Sequence, residues 1–243
     1  MGIRENSLEI IEKLNAAAKR AGRDPADVTL VAVTKTHPPE VLAEAWEAGL
    51  RHFGENRAHE LEEKVPWLAE KFGADNGIVW HYVGHLQTRQ SQPIADFAHM
   101  FHAADRSKIV NRLARQLKEN GRTLETLLEV NVSGEASKGG FNCSDWENSL
   151  DQKNNILAAA KLLAAEESHQ TPAGLMTMAP WDAEPKIIRA VFERTRNLRD
   201  WLSQELDCDL PVLSMGMTND FEIAIEEGAT HVRVGRALFG ERH

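Results

Sequence analysis

The chain has 243 residues and a formal net charge of −9, from 37 Asp and Glu against 28 Lys and Arg. That balance excludes a broad nucleic-acid footprint, which needs clustered basic side chains, but leaves room for a locally positive pocket that takes a small anion. Hydrophobic residues at 42% and charged residues at 27% are the proportions of an ordinary globular chain, and the length suits one α/β barrel.

The opening segment, MGIRENSLEIIEKLNAAAKR, is charged and periodic and predicts an amphipathic helix over about 4–20. It lacks the apolar core of a secretory signal, and Asn6 stands where a myristoylation motif wants Ser or Thr. Short apolar runs then alternate with longer amphipathic ones. Strands are expected at 29–34, 50–54, 78–84, 99–104, 126–133, 173–178, 212–216 and 231–235. Several show no polar alternation, as strands covered on both faces do. Between them, residues 38–49 open on Pro38 and Pro39 and stop at Gly49. Residues 106–120 carry Ile109, Leu113 and Leu117 on one stripe before Gly121, and 184–206 carry Ile188, Val191, Leu198 and Leu202 at helical spacing. The polar stretch 134–155 reads as an extended loop on the active-site face.

Eight strand–helix units after one extra N-terminal helix predict an α/β chain folded as a single (β/α)8 TIM-type barrel over 1–243, with a doubly wound open sheet as the alternative. No run reaches the length of a membrane span. Cys143 and Cys208 share no metal-type spacing and read as reduced thiols of a cytoplasmic protein.

Lys35 closes the apolar run LVAVT, so it sits at the strand end where barrel active sites are built. Apolar walls favour the neutral amine that attacks an aldehyde; the plainer alternative is a lysine reaching from a strand end to water. Two later strand–helix turns, LSMGMTND (213–220) and RVGRALFG (233–240), follow the seventh and eighth strands. They place Gly216 and Gly235 where backbone can approach a ligand and add Ser214 and Thr218; this is the usual phosphate position of such barrels. Arg233 lies within the last strand, facing either a ligand acceptor or a carboxylate. Asn56 in GEN suits a ligand contact or, in isolation more simply, a helix cap. The 10 His form no metal-spaced set, so no metal site is expected, and structural or polar-network roles suit them. No GxSxG elbow is present.

Taken in order, VAVTKTHP, FGENR, WHYVGHLQTRQ, EVNVSGEASKGGF, GLMTM and LSMGMTNDFEIAIEEGATHVRVGRALFG resemble the pyridoxal-phosphate homeostasis family, which is related to the barrel domain of alanine racemase. The likeness runs from about residue 28 to 240. It implies pyridoxal 5′-phosphate held as a Schiff base on Lys35, Arg233 at the pyridine nitrogen and Asn56 beside the ring. It further implies that Ser214, Gly216 and Thr218, with the backbones of Gly235 and Arg236, hold the phosphate. It also implies a cytoplasmic monomer or weak dimer that buffers or delivers the cofactor to apo-enzymes, with no robust catalysis.

The chain departs from the family pattern at Thr34 and Gly139, where Ser is usual. It departs again at Arg236, where a Ser or Thr hydroxyl would face phosphate. Two enzymatic alternatives are an amino-acid racemase and a Schiff-base aldolase. Two-base racemisation needs a second acid/base, yet the one Tyr, Tyr82, falls in a predicted strand and no residues follow the barrel to form a second domain. For an aldolase, no general acid/base stands out beside Lys35.

Overall fold

The computed structural model describes residues 2–240; the expected domain span also included positions 1 and 241–243, which lie outside the described residues. The strands are β1 (Thr29–Val33), β2 (His52–Glu55), β3 (Val79–Tyr82), β4 (Met100–Ala104), β5 (Leu124–Asn131), β6 (Phe141–Asn142), β7 (Gln170–Met176), β8 (Val212–Ser214) and β9 (His231–Val234). The helices are α1 (Ile3–Arg20), α2 (Pro39–Glu47), α3 (Ala58–Phe72), α4 (Gln92–Phe97), α5 (Ser107–Asn120), α6 (Leu150–Ala164), α7 (Pro185–Leu206), α8 (Phe221–Glu226) and α9 (Arg236–Phe239).

Every strand pairing is parallel, and the order β4-β3-β2-β1-β9-β8-β7-β5 closes through β4 on β5. This is the closed eight-stranded barrel expected, with α1 as the extra helix; the open sheet is excluded because the two edge strands pair with each other. The two-residue β6 lies outside the ring on β5, pairing Val130 with Phe141.

Local chemistry explains the elements. Helix α2 starts at Pro39, whose missing N–H costs nothing in a first turn. Helix α5 buries Ile109, Val110, Leu113 and Leu117 and ends on Gly121 at φ 62, whose N–H returns to Leu117 and Lys118. Two strands shift toward the N-terminus of their predicted spans, to 124–131 and 170–176. The stretch 134–155 is less irregular than predicted. It contains β6, and α6 already starts at Leu150, where the Ser149 hydroxyl accepts from the Gln152 N–H. Short polar side chains hid this helix start, because Ser at an N-cap looks like loop.

The period-two alternation of the strands sorts side chains between two environments. Ala32, Phe53, Trp80 and Phe101 face the helices and are buried. The opposite parity points to the barrel axis: a side chain grown on Gly54 would meet Val31, Val33 and Val83. Register carries the same inward parity to His81 beside Gly54, Arg233 beside Val31, Ser214 beside His231, and Glu129 beside Met176. The axis is therefore strongly polar on one side, unlike a barrel filled by aliphatic layers.

Gly174 holds one wall of this ring. Its φ is 149, and a Cβ there would lie 1.8 Å from the Val212 carbonyl oxygen on β8. Gly174→Ala is expected to lower stability by about 3 kcal/mol, read as a fall in the urea midpoint. An unchanged midpoint would mean that β7 and β8 are not this close.

Candidate functional site

Strand β1 ends at Val33, and Lys35 lies in the turn just beyond it, half-buried at the C-terminal end of the strand. The next residue, Thr36, has φ 67, a left-handed conformation disfavoured for a β-branched side chain. A buried charge cluster holds this bend from both sides. Lys64 on α3 donates to the Thr34 carbonyl at 2.9 Å, to Glu55 at 2.7 Å and to Glu60 at 2.6 Å, which uses all three ammonium protons. Glu60 in turn accepts from the Thr36 N–H at 2.9 Å, and Glu55 accepts from the Thr34 hydroxyl at 2.5 Å. Lys35 is thus flanked by two peptide groups tied to one buried lysine. Burial pushes the Glu55 carboxyl up to about 8. Burial also raises Glu60, but hydrogen bonds with Glu55, Lys64 and the Thr36 N–H outweigh it and hold that carboxyl below its usual range.

Arg233 is buried beneath the same mouth. Its Nη1 donates to the Ser214 carbonyl at 2.7 Å and to Ser214 Oγ at 2.6 Å, and Nη2 donates to the Thr177 carbonyl at 3.0 Å. Three of the five guanidinium protons are used; the other two have no protein acceptor among the described residues. Burial lowers its pKa to about 10, opposed by Asp220 and Glu129, so the group stays charged at neutral pH. Between the two open readings of Arg233, no carboxylate among the described residues pairs with it directly.

Both glycine turns pack tightly against the protein's own atoms. At Gly216, φ 92, a Cβ would come within 2.6 Å of the Ala224 Cβ and 2.9 Å of the Phe221 Cα. At Gly235 it would meet the Val33 carbonyl at 3.2 Å. Asp220 closes the first turn by accepting from the Met217 N–H at 2.6 Å, leaving Thr218 half-buried at its rim. In α9 the Leu238 and Phe239 N–H groups return to the Gly235 carbonyl, whereas the Arg236 N–H, at the first helical position, has no preceding turn to donate to. The Arg236 side chain itself is turned outward, its guanidinium 5.2 Å from the Trp181 ring centre. Asn56 is half-buried, and its Oδ1 is buried without a hydrogen-bond partner.

Lys35, Asn56, Ser214, Gly216, Thr218, Arg233, Gly235 and Arg236 therefore gather at the C-terminal ends of β2, β1, β9 and β8, four consecutive barrel strands. Within the gathering, Ser214 is fully buried and its hydroxyl is engaged by Arg233 and by His102 Nδ1, at 2.8 Å for the latter. Sequence reasoning missed Glu55, Lys64, Thr177 and Glu129. The only available signal was parity: Glu129 interrupts the apolar run LLEV at an inward position, and Lys64 follows Glu60 by one helical turn.

Glu129 is buried, and burial and nearby Asp105 push its carboxyl up to about 7 against the pull of Arg233. Between about pH 4.5 and 7 the folded chain keeps a proton that the unfolded chain has lost, so stability falls as pH rises through that window. Ligand-free Glu129→Gln is expected to match the parent at pH 4.5 and to exceed it by about 3 kcal/mol at pH 8, measured by urea unfolding. A constant difference at both pH values would refute this. Lys64→Ala leaves the buried Glu60 carboxylate without its cation and the Glu55 carboxyl and Thr34 carbonyl without their donor, and is expected to cost about 3–5 kcal/mol in the same assay.

Comparison with known proteins shows the family. The family model of the alanine racemase N-terminal domain matches residues 6–243. A pyridoxal phosphate homeostasis protein of Pseudomonas aeruginosa is 40% identical over 244 residues, spanning 99% of this chain and 96% of its own. One from Aquifex aeolicus is 37% identical over 238 residues, spanning 98% and 97%. The structure of PipY from Synechococcus elongatus with PLP bound superposes with a TM-score of 0.76 at 30% identity, covering 95% of this chain and 100% of PipY. The chain belongs to the pyridoxal phosphate homeostasis protein family, built on the alanine racemase N-terminal barrel.

Proposed function

We propose that this chain binds pyridoxal 5′-phosphate, holds it covalently through Lys35 as a Schiff base, and serves cofactor homeostasis by buffering or delivering it. The observation that carries the reading is the meeting, on adjacent strand ends, of an amine-bearing residue, a charged guanidinium with two uncommitted donors and two tight glycine turns. The bound cofactor would supply an aldehyde that traps and later releases an amine. Lys35 would provide the attachment atom. Arg233, a donor only, suits an unprotonated ring nitrogen and would weaken the ring as an electron sink. Gly216 and Gly235 admit a phosphate close to backbone, and Thr218 with the Arg236 N–H would donate to it. Ser214 would act on this end of the site by anchoring Arg233. Asn56 Oδ1 is an orphaned acceptor just past the end of β2 and would take part beside the ring.

The racemase alternative needs a second acid/base over the ring, and Tyr82 does not supply it. Its ring is 1% exposed, its hydroxyl donates to the Asn56 carbonyl at 3.3 Å, and burial pushes its pKa up to about 12. The carrier reading implies apo-enzymes as recipients, a cytoplasmic location and a monomer or weak dimer. No helix among the described residues is long and apolar enough to cross a membrane, and these residues hold no metal-ligating group of three.

Borohydride treatment of the purified chain with pyridoxal 5′-phosphate is expected to fix one adduct on Lys35, identified by peptide mass mapping. Lys35→Ala is expected to lose that adduct and its absorption band yet retain weak binding through the phosphate turns. A full-strength adduct in Lys35→Ala would overturn the anchor.

A further inference from the structure

Behind Arg233 a line of side chains crosses the barrel. His52 stands on β2, His81 on β3, His102 on β4 and Ser214 on β8. His52 Nδ1 meets His81 Nε2 at 2.9 Å, and His81 Nδ1 meets His102 Nε2 at 2.9 Å. His102 Nδ1 meets Ser214 Oγ at 2.8 Å, which accepts from Arg233 Nη1 at 2.6 Å. His81 and His102 have no exposure to water, whereas His52, at the far end, is half-buried.

No carboxylate hydrogen-bonds to this line among the described residues, so nothing compensates a positive imidazole there. Burial holds His81 well below its usual range, helped by His231, His52 and His99. Burial does the same for His102, with His81, His231 and Arg233 adding repulsion. His52 is lowered by burial and His99, and His231, bonded to the Thr230 hydroxyl at 3.1 Å, falls to about 4 through burial, His52 and Arg233. Near neutral pH each imidazole in the line is neutral and carries one N–H, which it donates while accepting at the other nitrogen.

The line must then be ordered head to tail, and Arg233 sets the direction because it only donates. If His102 Nδ1 donated to Ser214, that hydroxyl would accept twice and its own buried proton would have no acceptor. The opposite order satisfies every group. Ser214 donates to His102 Nδ1, His102 Nε2–H to His81 Nδ1, and His81 Nε2–H to His52 Nδ1. A hydroxyl that donates in such a chain becomes a stronger acceptor, so the line tightens the Ser214 grip on the guanidinium.

We propose that His102, His81 and His52 are positioning residues for Arg233: a neutral column of Nε2–H tautomers that, through Ser214, holds its two uncommitted donors toward a bound ring. The ligand half of this rests on the pyridoxal 5′-phosphate reading; the tautomer half stands without it.

Two measurements test it. Long-range 1H–15N spectra of the histidine-labelled full chain without ligand, assigned by single His→Phe variants, are expected to show all three imidazoles as neutral Nε2–H at pH 7. An Nδ1–H tautomer or an imidazolium at any of the three overturns the column. Titration with pyridoxal 5′-phosphate is then expected to show about tenfold weaker retention and a shifted absorption band for His102→Phe. His102→Asn, whose side-chain oxygen can take the Ser214 proton, is expected to recover most of both. Parent-like binding and spectrum in a folded His102→Phe, or no recovery in His102→Asn, overturns the positioning role. Should His102→Phe fail to fold, the Asn variant and the parent spectra decide. A parent chain that takes up no pyridoxal 5′-phosphate would instead sink the cofactor reading, and the ligand-free spectra would still judge the column.

Discussion

The backbone ladder between β1 and β9 is the constraint on which the rest depends. It pairs Thr29 with His231 and continues through Ala32 and Val234, joining residues some two hundred positions apart. Without that closure, Lys35 and Arg233 would stand on opposite edges of an open sheet. With it, the segment carrying an amine and the segment carrying a guanidinium and a glycine turn become neighbours. The loop-closure entropy of so distant a pairing is offset only by the cooperative burial of the whole ring. The N-terminal helix helps to seal this seam. Asn6 donates to the Leu238 carbonyl, Arg20 pairs with Glu222 and Glu226, and Arg23 donates to the Ile225 and Ala229 carbonyls, all beside the last barrel strand.

Two buried cations then divide the work around Lys35. Lys64 is paired with the Glu60 carboxylate, bonds the Glu55 carboxyl that burial raises to about 8, and spends its third proton on the bend that follows β1. A buried ion pair of this kind adds little net stability compared with apolar packing, but it penalises any other arrangement heavily. It suits the task of holding Thr36 in a left-handed conformation. Arg233 is the opposite case. Among the described residues its bonds are to Ser214 and to the Thr177 carbonyl, not to a carboxylate, so its charge remains available at the barrel mouth. An acidic protein with a formal charge of −9 thereby offers a positive floor to an anionic ligand.

The polar interior also explains why single motifs looked ambiguous. Lys35 in isolation fitted a lysine reaching for water, and Asn56 fitted a helix cap. In the structure Asn56 caps nothing through its oxygen, which is buried without a partner, and α3 begins after Arg57 with no side-chain cap bond. Likewise the resemblance gave phosphate the Arg236 backbone and left its side chain open. Its outward turn onto Trp181 leaves only the backbone to face the turn. The sequence could name these residues but not the direction each side chain takes, since direction follows from neighbours that approach only after the ring closes.

The sequence by itself determined the alternation of strands and helices, the barrel count and the glycine turns. Those features follow from local periodicity and from backbone preferences that act over a few residues. Family motifs quoted in order did the same for the candidate ligand residues. Only the tertiary structure decided that Glu55, Lys64 and Glu60 clamp the Lys35 bend, that Glu129 faces inward, and that His52, His81 and His102 form one line. Each belongs to a different strand or helix, and nothing in local spacing links them. Their contact depends on strand register around a closed ring, which is fixed by the packing of the whole molecule.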